Sequence, residues 1–191
     1  MEHEGSLSEL EALIGYTFQD IKHLETAITH KSFVNEKMVG RYMSYERYEF
    51  LGDAILEFIV SKYLFENYQT MPEGDLSKLR SSLVCEFTLS KISRDLRFGE
   101  CARFSKGERQ TGGANRDSIL CDMFESVLGA IYLDGGMECA TAYLSGIFPA
   151  YVLFAFDGPS FSLWSSTTVS GVYPRSSCGV YTSNGLIELP G

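Results

Sequence analysis

Three observations predict an all-α body over residues 1–148. Apolar residues recur at helical spacing in one segment after another, with capping residues before them and Gly or Pro after them. Proline is nearly absent from this region: Pro72 alone precedes Pro149, whereas Pro149, Pro159, Pro174 and Pro190 fall in the last 43 residues. Two of the apolar segments also carry acids three or four residues apart, which places those acids on one stripe only if both segments are helices.

Each element follows in order. In "SLSELEALIG", Ser6 and Glu9 fit a capping box and Gly15 a C-terminal stop. "DIKHLETAITH" has Asp20 as N-cap, with Ile21, Leu24, Ala27 and Ile28 on one face. A long helix is expected from Tyr45 to Asn67, closed by "NYQTMPEGD", and another from Leu76 to Leu96. "FGECARFSKGERQTGGANRDS" is too rich in Gly for a long helix and reads as a loop with at most one short turn. Ser118 then caps "ILCDMFESVLGAIYL", which stops at Asp134, Gly135 and Gly136, and a last helix spans Glu138 to Phe148. The tail, 149–191, has no Lys, one Arg (Arg175), two acids (Asp157 and Glu188) and eight Ser, and reads as irregular or weakly β.

Composition narrows the class. At 45% hydrophobic and 21% charged, the chain reads as an ordinary globular protein with one main domain. No apolar run is long enough to span a membrane, and "MEHEGSLSELE" is acidic where a leader would be basic, so a cytoplasmic location is expected. Cys85, Cys101, Cys121, Cys139 and Cys178 are odd in number and form no C-x-x-C pair, which favours buried reduced thiols over disulfides or zinc. The net charge is −9, yet residues 78–116 hold nine basic side chains against four acids, a local +5 beside −14 elsewhere. A basic binding surface next to an acidic centre is compatible with that division, as is a solvated helix face.

Within the Tyr45–Asn67 segment, Glu46, Glu49 and Asp53 fall at i, i+3 and i+7, leaving Phe50, Leu51, Ile55 and Phe58 to pack elsewhere. Asp122 and Glu125 repeat the device in the second apolar segment. Carboxylates gathered from two helices repel one another and call for a compensating cation. All-oxygen ligands suit Mg²⁺ or Mn²⁺, and the lack of nearby His or Cys ligands argues against zinc. Gly52 and Gly129 in mid-helix each cost about 1 kcal/mol relative to Ala, a cost that close backbone approach would offset. A di-iron carboxylate bundle would need Glu-x-x-His pairs, and neither segment contains His. His3, His23 and His30 have no evident Ser or Cys partner, and His30 reads as structural.

"ERYEFLGDAIL" resembles the signature of ribonuclease III, with Tyr48 in place of the usual Leu. "AITHKSFVNE", "PEGDLSKLRSSLV", "KGERQTGG" and "SILCDMFESVLGAIYLDGG" follow in that family's order, so the resemblance covers residues 7–148. It implies the ribonuclease III endonuclease-domain fold and a Mg²⁺-dependent (or Mn²⁺-dependent) endoribonuclease. The enzyme would act as a homodimer on double-stranded RNA, without a small-molecule cofactor, leaving 5′-phosphate and 3′-hydroxyl ends. By the same resemblance Glu49, Asp53, Asp122 and Glu125 are metal ligands, with Asp53 and Glu125 catalytic. Glu46 then belongs to the dimer-side helix and Glu73 is offered toward the partner's site. Lys78, Arg80, Lys106, Arg109 and Arg116 are candidate RNA contacts, and the dimer would use Tyr45, Tyr48, Phe50 and Leu51. The family's double-stranded-RNA-binding domain is not recognisable in the tail, so the alternative expectation is a catalytically weak or inactive RNA-binding relative.

Overall fold

The structure is a computed structural model that describes residues 7–38, 40 and 43–157, with side chains as far as residue 147. In chain order the helices are α1 (Leu7–Ile14), α2 (Lys22–Ala27), α3 (Lys31–Lys37), α4 (Glu46–Asn67), α5 (Glu73–Leu83), α6 (Glu86–Asp95), α7 (Phe98–Cys101), α8 (Lys106–Gln110) and α9 (Asp117–Asp157). A short 3-10 turn, Gly113–Asn115, precedes α9. Among the described residues β pairing is confined to one bridge, Thr29 with Arg103. The expected Ser6 cap, His3, Cys178 and residues 158–191 of the tail lie outside the described residues.

α4 and α9 cross at the centre and the remaining helices pack around them. From α4 come Ile55, Leu56, Ile59, Val60 and Leu64, and from α9 Met123, Phe124, Val127, Leu128 and Ile131, all at most 5% exposed. The crossing is tight because two glycines meet there: a Cβ on Gly52 would stand 1.8 Å from the Glu125 carbonyl oxygen, and one on Gly129 2.4 Å from that of Tyr48. Direct backbone contact therefore offsets the propensity cost of both glycines, as expected. α6 lies against α9 through Leu89 and Ile92, with Ser93 Oγ donating to the Leu120 carbonyl at 2.7 Å.

Local sequence explains most boundaries. α1 buries Leu10 and Ile14 and stops where Gly15 takes φ +73°. Ile21 rather than Asp20 holds the N-cap position of α2, but Asp20 Oδ1 still accepts the Lys22 N–H at 3.1 Å. The single helix expected over Leu76 to Leu96 is two helices. Cys85 between them is extended, and the Ser82 carbonyl accepts from Thr88 Oγ1 at 2.8 Å and Cys85 Sγ at 3.3 Å instead of continuing the helix. The loop expected after Leu96 holds α7, α8 and the 3-10 turn; Ser105 caps α8 by accepting from the Glu108 N–H.

The expected stop at Asp134–Gly136 is a kink: Gly136, at φ 78° and ψ −174°, is non-helical, and the second segment continues past the expected end at Phe148 to Asp157. Asp134 holds the loop after α1 in place. Its Oδ2 accepts from Tyr16 OH at 2.7 Å and the Gln19 N–H at 2.8 Å, and its Oδ1 from the Asp20 N–H at 2.9 Å. Among the described residues no helix is long and apolar enough to cross a membrane. Cys85, Cys101, Cys121 and Cys139 are free thiols as expected, but half-buried rather than buried.

Candidate metal centre

Glu49 lies one turn into α4, and Asp122 and Glu125 one turn apart near the start of α9. Because Gly52 and Gly129 let the two helices touch, a carboxylate oxygen from each of the three acids lies within 4.8 Å of the others. All three are partly buried. The consequence is electrostatic: burial, then Asp53, Asp122 and Glu49, push Glu125 up to about 8. Burial and the neighbouring acids likewise raise Glu49, with Asp122 the first of those neighbours. Burial raises Asp122, against the hydrogen bond it accepts from Tyr45.

Asp53 is exposed and outside the group of three, yet close enough to be the strongest charged neighbour of Glu125. Glu46 is also exposed. It pairs with Lys31 Nζ at 3.3 Å, accepts from Ser44 Oγ at 3.3 Å, and acts on Glu49 only as a nearby charge. Glu73 opens α5, where it accepts from Ser77 Oγ at 2.8 Å, and is not brought to the cluster within the chain. The three acids that do converge form an oxygen-only donor set with more negative charge than neighbouring cations offset, which fits a hard divalent ion.

Tyr45 departs from the expected dimer surface. It is 3% exposed, and its hydroxyl donates to Asp122 Oδ2 at 3.1 Å. The residues available on the outside of α4 are instead Phe50, Phe58 and Phe65, at 82%, 56% and 74% exposure, so Phe50 and Phe58 do not pack into the chain's own core. Their positions, i, i+8 and i+15, share one face. His30 is structural as expected: buried, it caps α3 by accepting the Ser32 N–H, although Ser32 Oγ at 2.8 Å is the hydroxyl partner the sequence did not disclose.

Most candidate RNA contacts are engaged within the chain. Lys78 meets Asp75 at 3.1 Å, Arg80 meets Glu57 at 3.0 Å, and Arg116 meets Glu108 at 2.8 Å. Arg109 donates to the Ala102 carbonyl at 2.6 Å, while Lys106 is exposed at the start of α8. Sequence reading also missed Glu86 and Cys121 beside the acids. Glu86 opens α6 close enough to act on Asp122, and Cys121 Sγ is 3.9 Å from Glu125 Oε1.

A family profile described as Ribonuclease-III-like matches residues 20–150. The chain belongs to the ribonuclease-III-like family. It is 47% identical over 149 residues to Ribonuclease 3 of Oceanobacillus iheyensis, covering 78% of this chain and 65% of that one. It is 48% identical over 134 residues to Ribonuclease 3 of Bacillus cereus, covering 70% of this chain and 55% of the relative. The chain thus spans between half and two thirds of the length of these ribonucleases. The solved nuclease domain of ribonuclease III from Campylobacter jejuni superposes with a TM-score of 0.69 at 38% identity, covering 80% of this chain and 99% of that domain. That structure is described as showing flexibility in a region involved in dimer formation. The all-α ribonuclease III nuclease-domain fold is therefore the fold of this chain.

Proposed function

We propose that this chain is a divalent-metal-dependent endoribonuclease that hydrolyses double-stranded RNA as a homodimer, leaving 5′-phosphate and 3′-hydroxyl ends. The observation that carries the reading is the convergence of Glu49, Asp122 and Glu125 across the glycine crossing, in a chain of the ribonuclease-III-like family. Mg²⁺, or Mn²⁺ in its place, is the cation this donor set suits. When bound, such an ion supplies Lewis-acid stabilisation of phosphate charge and activation of water.

The chain's own residues do the rest. Glu49, Asp122 and Glu125 hold the ion, and Asp53, exposed beside Glu125, faces solvent where the phosphodiester enters. Asp53 and Glu125 are the catalytic pair. The nuclease unit is assigned to residues 1–148 together with the helical continuation of α9.

A second copy seats on the Phe50, Phe58 and Phe65 face, whose exposure in one chain is more than scattered surface apolar residues explain. Glu46 then lies beside the interface and Glu73 is presented to the partner's site. Lys106, with Lys78, Arg80, Arg109 and Arg116 released from their internal partners, meets phosphates.

The test is cleavage of a long RNA duplex with and without Mg²⁺. Metal-dependent scission of both strands, absent in Glu125→Gln, is expected. Cleavage in chelator, or cleavage by Glu125→Gln at the unmodified rate, would overturn the assignment. A duplex that is bound but never cut would mark the chain as a binding relative.

A further inference from the structure

The three acids differ in how they are held. Glu125 accepts a long hydrogen bond from Cys121 Sγ, at 3.9 Å, on its own helix, whereas Asp122 accepts one from Tyr45, a buried side chain at the start of α4. Tyr45 is itself fixed at several points. Its N–H donates to the Thr29 carbonyl at 2.9 Å and its carbonyl accepts the Glu49 N–H at 2.9 Å. Its ring lies 5.7 Å from that of His30, centroid to centroid. His30 is anchored in turn, its N–H donating to the Arg103 carbonyl at 3.0 Å and its ring 5.4 Å from Phe104. Segments 28–32 and 103–105 thus brace the phenol at the start of α4, and its hydroxyl donates to α9 at Asp122 Oδ2.

We propose that Tyr45 is a positioning residue of the metal centre, whose hydroxyl orients the Asp122 carboxylate toward Glu49 and Glu125 before a divalent cation arrives. The inference rests on the reading of the three acids as a metal centre. A free Asp side chain turns about two bonds, and that freedom is lost when it ligates. A hydrogen bond to one carboxylate oxygen removes it in advance, as outer-layer partners do for metal ligands generally. The glycine contact sets how far apart α4 and α9 stand, and the Tyr45 hydroxyl sets how the Asp122 carboxylate is turned.

Tyr45→Phe keeps the ring and removes only the hydroxyl. Calorimetric titration of the RNA-free protein should show Mn²⁺ binding weakened about tenfold. In cleavage the half-saturating Mg²⁺ concentration should rise by a similar factor, while the rate at saturating Mg²⁺ stays within about twofold. Tyr48→Phe is the control, because the Tyr48 hydroxyl meets His23 Nδ1 at 3.0 Å rather than an acid, and its metal affinity should not change.

A second measurement does not depend on how well Tyr45→Phe folds. With 3-fluorotyrosine placed at position 45, the ¹⁹F resonance should move during Mg²⁺ titration with the same midpoint as metal binding, and a label at position 48 should not. Unchanged Mn²⁺ affinity in folded Tyr45→Phe, or a silent label at position 45, would overturn the proposal while leaving the metal centre standing. A wild-type chain that binds no Mn²⁺ would overturn the metal centre itself, and Tyr45's role with it.

Discussion

Among the described carboxylic acids, Glu125 is the one raised furthest. Burial and three neighbouring acids raise it from the ordinary 4.5 to about 8, so between those values the folded protein keeps a proton that the unfolded chain gives up. The sign follows: the contribution to stability is full below about pH 4.5 and is lost as pH rises toward 8. Without metal, thermal unfolding should therefore move to lower temperature across that window, and Glu125→Gln, which carries no charge, should flatten the dependence. At pH 8 in chelator this variant should melt several degrees above the unmodified chain, at about 2 to 4 °C per kcal/mol for a domain of this size. Mg²⁺ should raise the melting temperature of the unmodified chain and not that of the variant. Scanning calorimetry at pH 5 and pH 8, with and without Mg²⁺, checks all three outcomes.

At the scale of elements, the crossing of α4 and α9 is the feature on which the acids depend. A methyl at Gly52 would collide with the Glu125 carbonyl, and backbone cannot swing aside as a side chain can. Gly52→Ala should cost about 3 kcal/mol or more in urea unfolding, at the upper end of overpacking effects, and weaken metal binding as well. Gly146 makes the contrast: it lies in the second segment of α9 with nothing within 4 Å of an added Cβ, so Gly146→Ala should stabilise by about 0.5–1 kcal/mol.

The crossing was legible in sequence, because a glycine in the middle of an apolar helix weakens that helix unless another backbone packs against it, and two helices here carry one. Of the first acidic stripe, only Glu49 meets Asp122 and Glu125, because Glu46 and Asp53 face solvent on either side of it. The break at Cys85 was not legible. It depends on Thr88 and Cys85 side chains capturing the Ser82 carbonyl, an arrangement that spacing alone does not distinguish from a continuous helix. Tyr45 was misplaced for a related reason. Periodicity assigns a face, but whether an amphipathic side chain on that face turns inward to an acid or outward to a partner is decided by what the other helix presents. Phe58 shows the converse, an apolar residue expected to pack away from the acids that the fold leaves outside, whereas Phe50 is exposed in keeping with its expected place on the outer surface.

For the whole molecule, the proposed pairing with a second copy and with RNA can be tested through the aromatic face of α4 and the distribution of charge. Phe65→Glu places a charge on that face at a residue 74% exposed in the single chain, so the fold should persist while light scattering reports a monomer. Cleavage should then fall in proportion to dimer lost. Duplex binding should be weak, since few of the cations of residues 78–116 lack an acidic or carbonyl partner in the chain, and it should fall steeply between about 50 and 200 mM salt only to the extent that those cations leave their partners for phosphates. Filter binding of catalytically silent Glu125→Gln to an RNA duplex across that salt range measures the slope.

Asp134 carries a consequence for the order in which the chain assembles. It joins residues 16–20 to a position 114 to 118 residues later, among the most distant links in sequence, and such closures come after local structure has formed. Residues 7–20 are therefore expected to join the α4–α9 pair late. Amide hydrogens of Gln19 and Asp20, both received by the Asp134 carboxylate, should accordingly exchange through a partial opening of lower free energy than that of Leu56 or Leu128 in the crossing helices.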